Sequence, residues 1–188
     1  MNVETIAAIC LGIGLSAACG FRIFIPLLAT SVAAHTGNFN LPPDADWIGS
    51  TPALVAFAIA TVVEVGAYYL PWIDNALDTV ATPGAIAVGT LAMKALLPES
   101  DPLVNWSIAA IAGGGTAGIV QGFTDATRLT STTTTGGLGN PLVSTMELLS
   151  ATVLSLLALA VPFLAAFIVL GVLVVAIRKI WQWLFRSR

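Results

Sequence analysis

Long apolar runs separated by short polar breaks dominate this 188-residue chain. The first run covers roughly residues 3–34. As one continuous helix it would reach about 48 Å, against a bilayer core of about 30 Å. Gly20 and Pro26 bracket Phe21-Arg22, which predicts a break near Arg22, leaving either one kinked helix or two shorter pieces. A loop over roughly 35–50 follows, with Pro42-Pro43, two aspartates and no lysine or arginine. Thr51-Pro52 reads as an N-cap and first helical position of a second helix that carries Glu64 and stops at Pro71. Residues 72–80 form a short amphipathic piece, and Thr82-Pro83 opens a third, short helix over about 83–97. A fourth helix from about Leu103 is interrupted by Gly113-Gly114-Gly115. The final apolar run, from Pro141 to about Ile177, is divided by Pro162 into a fifth and a sixth helix.

One stretch breaks the pattern. Residues Gln121 to Glu147 hold Asp125, Arg128, a hydroxyl run from Thr130 to Thr135, then Gly136, Gly137, Gly139 and Asn140-Pro141. Consecutive β-branched residues followed by glycines disfavour a helix. Irregular backbone at membrane depth is tolerated only inside protein or beside a water-filled cavity. The stretch therefore reads either as a cavity-lining, re-entrant loop or as a cytoplasmic loop rich in hydroxyls.

Composition then fixes the class. The chain is 57% hydrophobic and 9% charged, with a mean hydropathy of +0.93, where ordinary globular chains carry roughly 25% charged residues. This predicts a single all-α transmembrane domain over 1–188 with about six spans. The net charge of −3 leaves no basic face for nucleic acid. Cys10 and Cys19 lie about 13 Å apart on one helix, too far for a disulfide. The tail over 178–188 combines Arg178, Lys179, Arg186 and Arg188 with Trp181 and Trp183. It reads as a cytoplasmic interfacial anchor, and six spans would place the N-terminus on that side too.

Against this background the buried charges stand out. Arg22, Glu64 and Glu147 fall within apolar runs, and Asp125 and Arg128 at the edge of one. A charge at a helix centre costs roughly 2.5–3.5 kcal/mol, so internal pairing is predicted: Arg22 with Glu64 or Glu147, and Asp125 with Arg128. The pairs would either line a polar path near the midplane, joined by Thr132, Thr133 and Asn140, or fix helix register. Asp74 and Asp78 are the only metal candidates, and surface acids are the simpler account. No Ser/His dyad, zinc helix or phosphate loop points to an enzyme, and no cofactor is expected.

The halves 1–97 and 103–180 each contain an Arg, a Gly-x(1–2)-Pro or Gly-Ser-Thr-Pro turn and a Glu. This arrangement suits two inverted three-helix repeats. Glu64 lies 12 residues after its proline and Glu147 only 6 after. The glycines at 114, 118 and 122 offer a packing surface either for a homo-oligomer or within the chain.

Three motifs carry a family resemblance. They are Gly14-Leu15-Ser16-Ala17-Ala18-Cys19-Gly20-Phe21-Arg22 with Pro26-Leu27-Leu28; Glu64 with Leu70-Pro71-Trp72-Ile73-Asp74; and Thr127-Arg128 with Gly137 through Ser144 and Glu147. The chain resembles the bacterial membrane family DUF4126. The resemblance implies a multi-pass protein of the bacterial inner membrane and places Arg22, Glu64, Asp74, Arg128, Asn140, Pro141 and Glu147 in the family's motifs. The expected function is a channel or secondary transporter, with the lipid bilayer and an ion or small polar solute as partners. The alternatives are a structural or interaction protein and, third, a membrane enzyme or lipid-handling protein.

Overall fold

A computed structural model describes residues 3–98 and 100–185, and every regular element in it is helical. In chain order these are α1 (Val3–Cys19), α2 (Phe24–His35), a 3₁₀ segment (Pro43–Gly49), α3 (Thr51–Ala67), α4 (Pro71–Leu96), α5 (Pro102–Ile108), a π-helical turn (Ala109–Gly114), α6 (Gly115–Thr135), α7 (Asn140–Ala160) and α8 (Pro162–Phe185).

The chain is an all-α membrane protein. Among the described residues, three helical stretches are long and apolar enough to cross a bilayer: Ala76–Leu96, Pro102–Thr135 and Asn140–Ala160. The 3₁₀ segment and α3, bent by 60°, would together make a fourth. The outer surface is correspondingly oily, with Leu103, Ile111, Val153, Phe167 and Val174 all more than half exposed. A water-soluble protein seldom presents so much continuous apolar surface.

The break at Arg22 is where the sequence predicts it, but it makes a hairpin. α1 stops at Cys19, and α2 begins at Phe24 and packs back along it. One cavity is bounded jointly by Glu4, Phe39, Leu41, Leu96, Pro98 and Pro162. The start of α1, the loop after α2, the end of α4 and the start of α8 therefore share one end of the bundle. α8 begins at that end and is 24 residues long. The hairpin returns the first apolar run to the end where it began. Residues 186–188 of the basic tail, and the side chains of Lys179, Trp181 and Trp183, lie outside the described residues.

Several boundaries move. Ser50, not Thr51, caps α3, its hydroxyl accepting from the Ala53 N–H at 3.3 Å. The amphipathic piece and the third helix are one, because α4 runs through Pro83. Ala85 and Met93, both fully buried, show how tightly α4 is held against its neighbours, and that packing outweighs one lost backbone bond. Asp101 caps α5, accepting from the N–H groups of Leu103 and Val104 at 2.9 and 3.2 Å.

The hydroxyl run is helical, contrary to the expectation of irregular backbone. The hydroxyls of Thr130, Thr133, Thr134 and Thr135 donate to carbonyls four residues back, at 2.7–2.9 Å. That local bonding suits threonine within a helix. The helix ends instead at Gly136 and Gly137, whose φ values of 64° and 88° belong to the left-handed region.

The interrupting glycines serve packing within the chain. A methyl group at Gly113 would sit 2.5 Å from the Gly89 carbonyl oxygen, so the π turn touches the α4 backbone directly. Gly118 likewise faces Ile86 of α4, whereas Gly115 and Gly122 face open space. In scanning fluorimetry, Gly113→Ala is expected to lower the melting temperature, by an overpacking cost of about 1–3 kcal/mol. Gly115→Ala is expected to leave it unchanged or raise it, by up to about 1 kcal/mol. Equal effects at the two positions would contradict this packing.

Candidate functional site

The hairpin tip creates a local problem. Where α1 stops and α2 starts, backbone N–H groups lose their helical partners inside an apolar bundle. Glu64, from the last turn of α3, answers it. Its two carboxylate oxygens accept from the N–H groups of Ile23 at 2.8 Å and Phe24 at 3.1 Å. A carboxylate at a helix N-terminus also meets the positive end of the helix dipole. Glu64 thus caps α2 and makes no ion pair with Arg22, one of the two partnerships the sequence allowed.

Arg22 pairs with Glu147 instead. Its Nη2 lies 3.1 Å from Glu147 Oε2 and donates to the Ser144 carbonyl at 3.2 Å. Arg128 holds the same carboxylate from α6: Nε donates to Glu147 Oε1 at 2.9 Å, and Nη2 donates to Oε2. Arg128 Nη2 also donates to Ser144 Oγ at 3.1 Å, and its Nε lies 3.9 Å from Asp78 Oδ1. Both guanidinium carbons stand over the Tyr68 ring, at 3.8 and 4.4 Å from its centroid, a favourable placement for a cation. The Arg22, Arg128 and Glu147 side chains are only 1%, 3% and 6% exposed. One carboxylate thus bridges two buried guanidinium groups, and these three residues together carry one net positive charge.

The remaining candidates fall outside this centre. Asp125 does not pair with Arg128; it accepts from Gln121 Nε2 at 2.8 Å and Thr82 Oγ1 at 2.7 Å. It thereby ties α6 to α4 beside the centre. Thr132 and Asn140 bond each other across the α6–α7 turn, at 3.4 and 3.2 Å. Thr133 is exposed and bonds only its own helix. Thr132, Thr133 and Asn140 are thus held by bonds within helix α6 and across the turn. Asp78 stands beside Arg128 as an ionic neighbour, while the Asp74 side chain lies outside the described residues. No group of three or more His, Cys, Asp or Glu side chains is placed to hold a metal among the described residues.

Nor is the centre at mid-helix. Glu147 lies about 10 Å along α7, a helix of about 31 Å, and Arg128 is equally close to the end of α6. A cavity of about 320 Å³ between the hairpin tip, α6 and α7 reaches Glu147, walled by Phe21, Thr124, Thr127, Val143 and Met146.

A family model described as a domain of unknown function (DUF4126) matches residues 9–182. The chain belongs to this family. The match takes in Arg22, Glu64, Tyr68, Arg128, Ser144 and Glu147, and so the whole centre. No curated protein and no solved structure matches the chain.

Tyr68 lies outside the motifs read from the sequence, and Ser144 enters them only as the end of the third, although a signal exists for both. Tyr68 follows Glu64 by four residues and Ser144 precedes Glu147 by three, the spacings that share a helix face. Two stability effects follow. Arg128→Gln leaves Glu147 with one cation and is expected to cost about 3–5 kcal/mol. Glu64→Ala removes the α2 cap, for about 0.5–2 kcal/mol, and Glu64→Gln, which keeps one acceptor, loses less. Chemical or thermal unfolding in detergent orders the three, and a Glu64→Ala loss as large as that of Arg128→Gln would contradict the separate roles.

Proposed function

We propose that this protein is a small secondary transporter for an ion or small polar solute, worked by the Arg22–Glu147–Arg128 centre. The observation that carries this reading is the sharing of one buried carboxylate by two guanidinium groups at a helix break. Broken helices meeting charged side chains are a recurrent design of transport sites, and ionisable groups within a membrane are functional as a rule. The partners of Glu147 come from the hairpin tip and α6, so loss of its charge would loosen both from α7 at once. In this proposal α3, α4, α5 with α6, α7 and α8 cross the bilayer, and the α1–α2 hairpin enters and leaves on one side. No covalent chemistry is required, and the inverted repeat is not needed either, since Glu64 and Glu147 do different jobs.

One observation favours a second reading, in which the centre is a structural staple. Both arginines are almost fully buried and bonded to helices far apart in sequence. The two readings separate in proteoliposomes. A transporter gives solute or ion flux above that of empty vesicles, and Glu147→Gln lowers it roughly tenfold or more, an added barrier of about 1.4 kcal/mol or more. Flux equal to empty vesicles for every ion and solute assayed, with a folded protein, leaves the staple. Flux unchanged by Glu147→Gln would remove the centre from the mechanism.

A further inference from the structure

Two donors of the centre have no partner among the described residues. Arg22 Nε and Nη1 are buried and make no hydrogen bond to any of them, in a side chain 1% exposed. A guanidinium presents five N–H donors in a rigid fork suited to oxyanions, and leaving buried donors unmade is expensive. Meanwhile its Nη2 and the Arg128 Nη2 converge on one carboxylate oxygen. That is how a pair of arginines grips a carboxylate, phosphate or sulfate. Glu147 occupies the cradle as a resident anion, and a tetrahedral oxyanion has further oxygens for the idle donors.

We propose that the centre binds a small oxyanion in exchange for the Glu147 carboxylate. Resting on the transport reading, this makes the solute anionic and couples it to a proton: Glu147 takes one proton from water, loses its hold on the two guanidinium groups, and the anion takes its place. With Asp78, 3.9 Å from Arg128 Nε, the two arginines and two carboxylates sum to zero with Glu147 ionised and to one positive charge with it protonated, which favours the anion after proton uptake. The cavity between α6 and α7 reaches Glu147, the residue the anion must displace, while neither arginine forms part of its wall. The α2 N-terminus is not the site, because Glu64 already holds its first N–H groups. The other ionisable groups around the centre are Glu64, at the hairpin tip beside Arg22, Tyr68, under both guanidinium groups, and Asp78 from α4, beside Arg128. Asp125 on α6 is engaged with Gln121 and Thr82.

The same chemistry fits a free oxyanion or the phosphate of an anionic lipid, and two bilayers distinguish them. The protein is placed in phosphatidylcholine nanodiscs and titrated with sulfate, whose charge is constant between neutral and mildly acidic pH. Calorimetry or thermal shift gives the apparent affinity. In the wild type it should tighten by up to about tenfold per pH unit as pH falls, one proton accompanying each anion. Arg22→Lys, which keeps the charge without the fork, should weaken binding at every pH. Glu147→Gln should bind sulfate at neutral pH with little pH dependence. Nanodiscs containing phosphatidic acid should abolish the sulfate signal if a lipid headgroup is the natural occupant, and leave it if a free oxyanion is.

Wild-type sulfate binding that does not change with pH would overturn the exchange, and this arm needs no variant to fold. So would the absence of sulfate binding at any pH. Sulfate binding without flux would uphold the anion site and remove transport. Flux of another solute without sulfate binding would do the reverse.

Discussion

Stopping a helix inside an apolar bundle exposes backbone donors that neither lipid nor hydrocarbon side chains can satisfy. The turn at Gly20–Phe24 poses that problem, and much of the polar architecture follows from its solution. Gly20 lets α1 end hard against α6, where a methyl group would lie 2.5 Å from the Ala117 carbonyl. Glu64 then closes the N–H groups of Ile23 and Phe24. Arg22, carried to the tip, must find an anion within reach, and Glu147 from α7 provides it. Arg128 makes that anion a shared one.

The division of labour between the two buried glutamates is the main structural result. One faces backbone dipoles and fixes a turn; the other faces two full charges. Breaking a buried pair is costly because the surviving charge keeps no partner. At Glu147 two cations would be left together, so this carboxylate is the residue whose charge state governs the region. Tyr68 moderates the same repulsion by offering its ring to both guanidinium groups.

The sequence made the class, the break at Arg22, the division at Pro162 and the burial of the charges legible, because each rests on a strong local signal: hydropathy, Gly and Pro placement, or an isolated charge in an oily run. The direction of the chain after the break was not legible. A kink and a hairpin have the same local signature, and only packing of α2 against α1, α3 and α7 chooses between them. The Thr130–Thr135 run misled for a related reason. Propensity counts β-branching against the helix, whereas each hydroxyl can bond back to its own backbone. Choosing Glu147 over Glu64 for Arg22 needed the third dimension, since both lie in apolar runs.

The π turn at Ala109–Gly114 has a geometric consequence for the centre. A π turn holds one residue more than an α turn of the same height, so the helix beyond it is rotated by about 100° relative to an uninterrupted rod. α5 and α6 belong to one continuous helical stretch, Pro102–Thr135, but do not share one phase. The azimuth at which Arg128 leaves α6 is therefore set about fifteen residues upstream, where Gly113 and Gly114 let the widened turn nest against α4. A single-residue deletion there would keep the helix and its apolar length, yet swing the arginine away from the carboxylate it now holds.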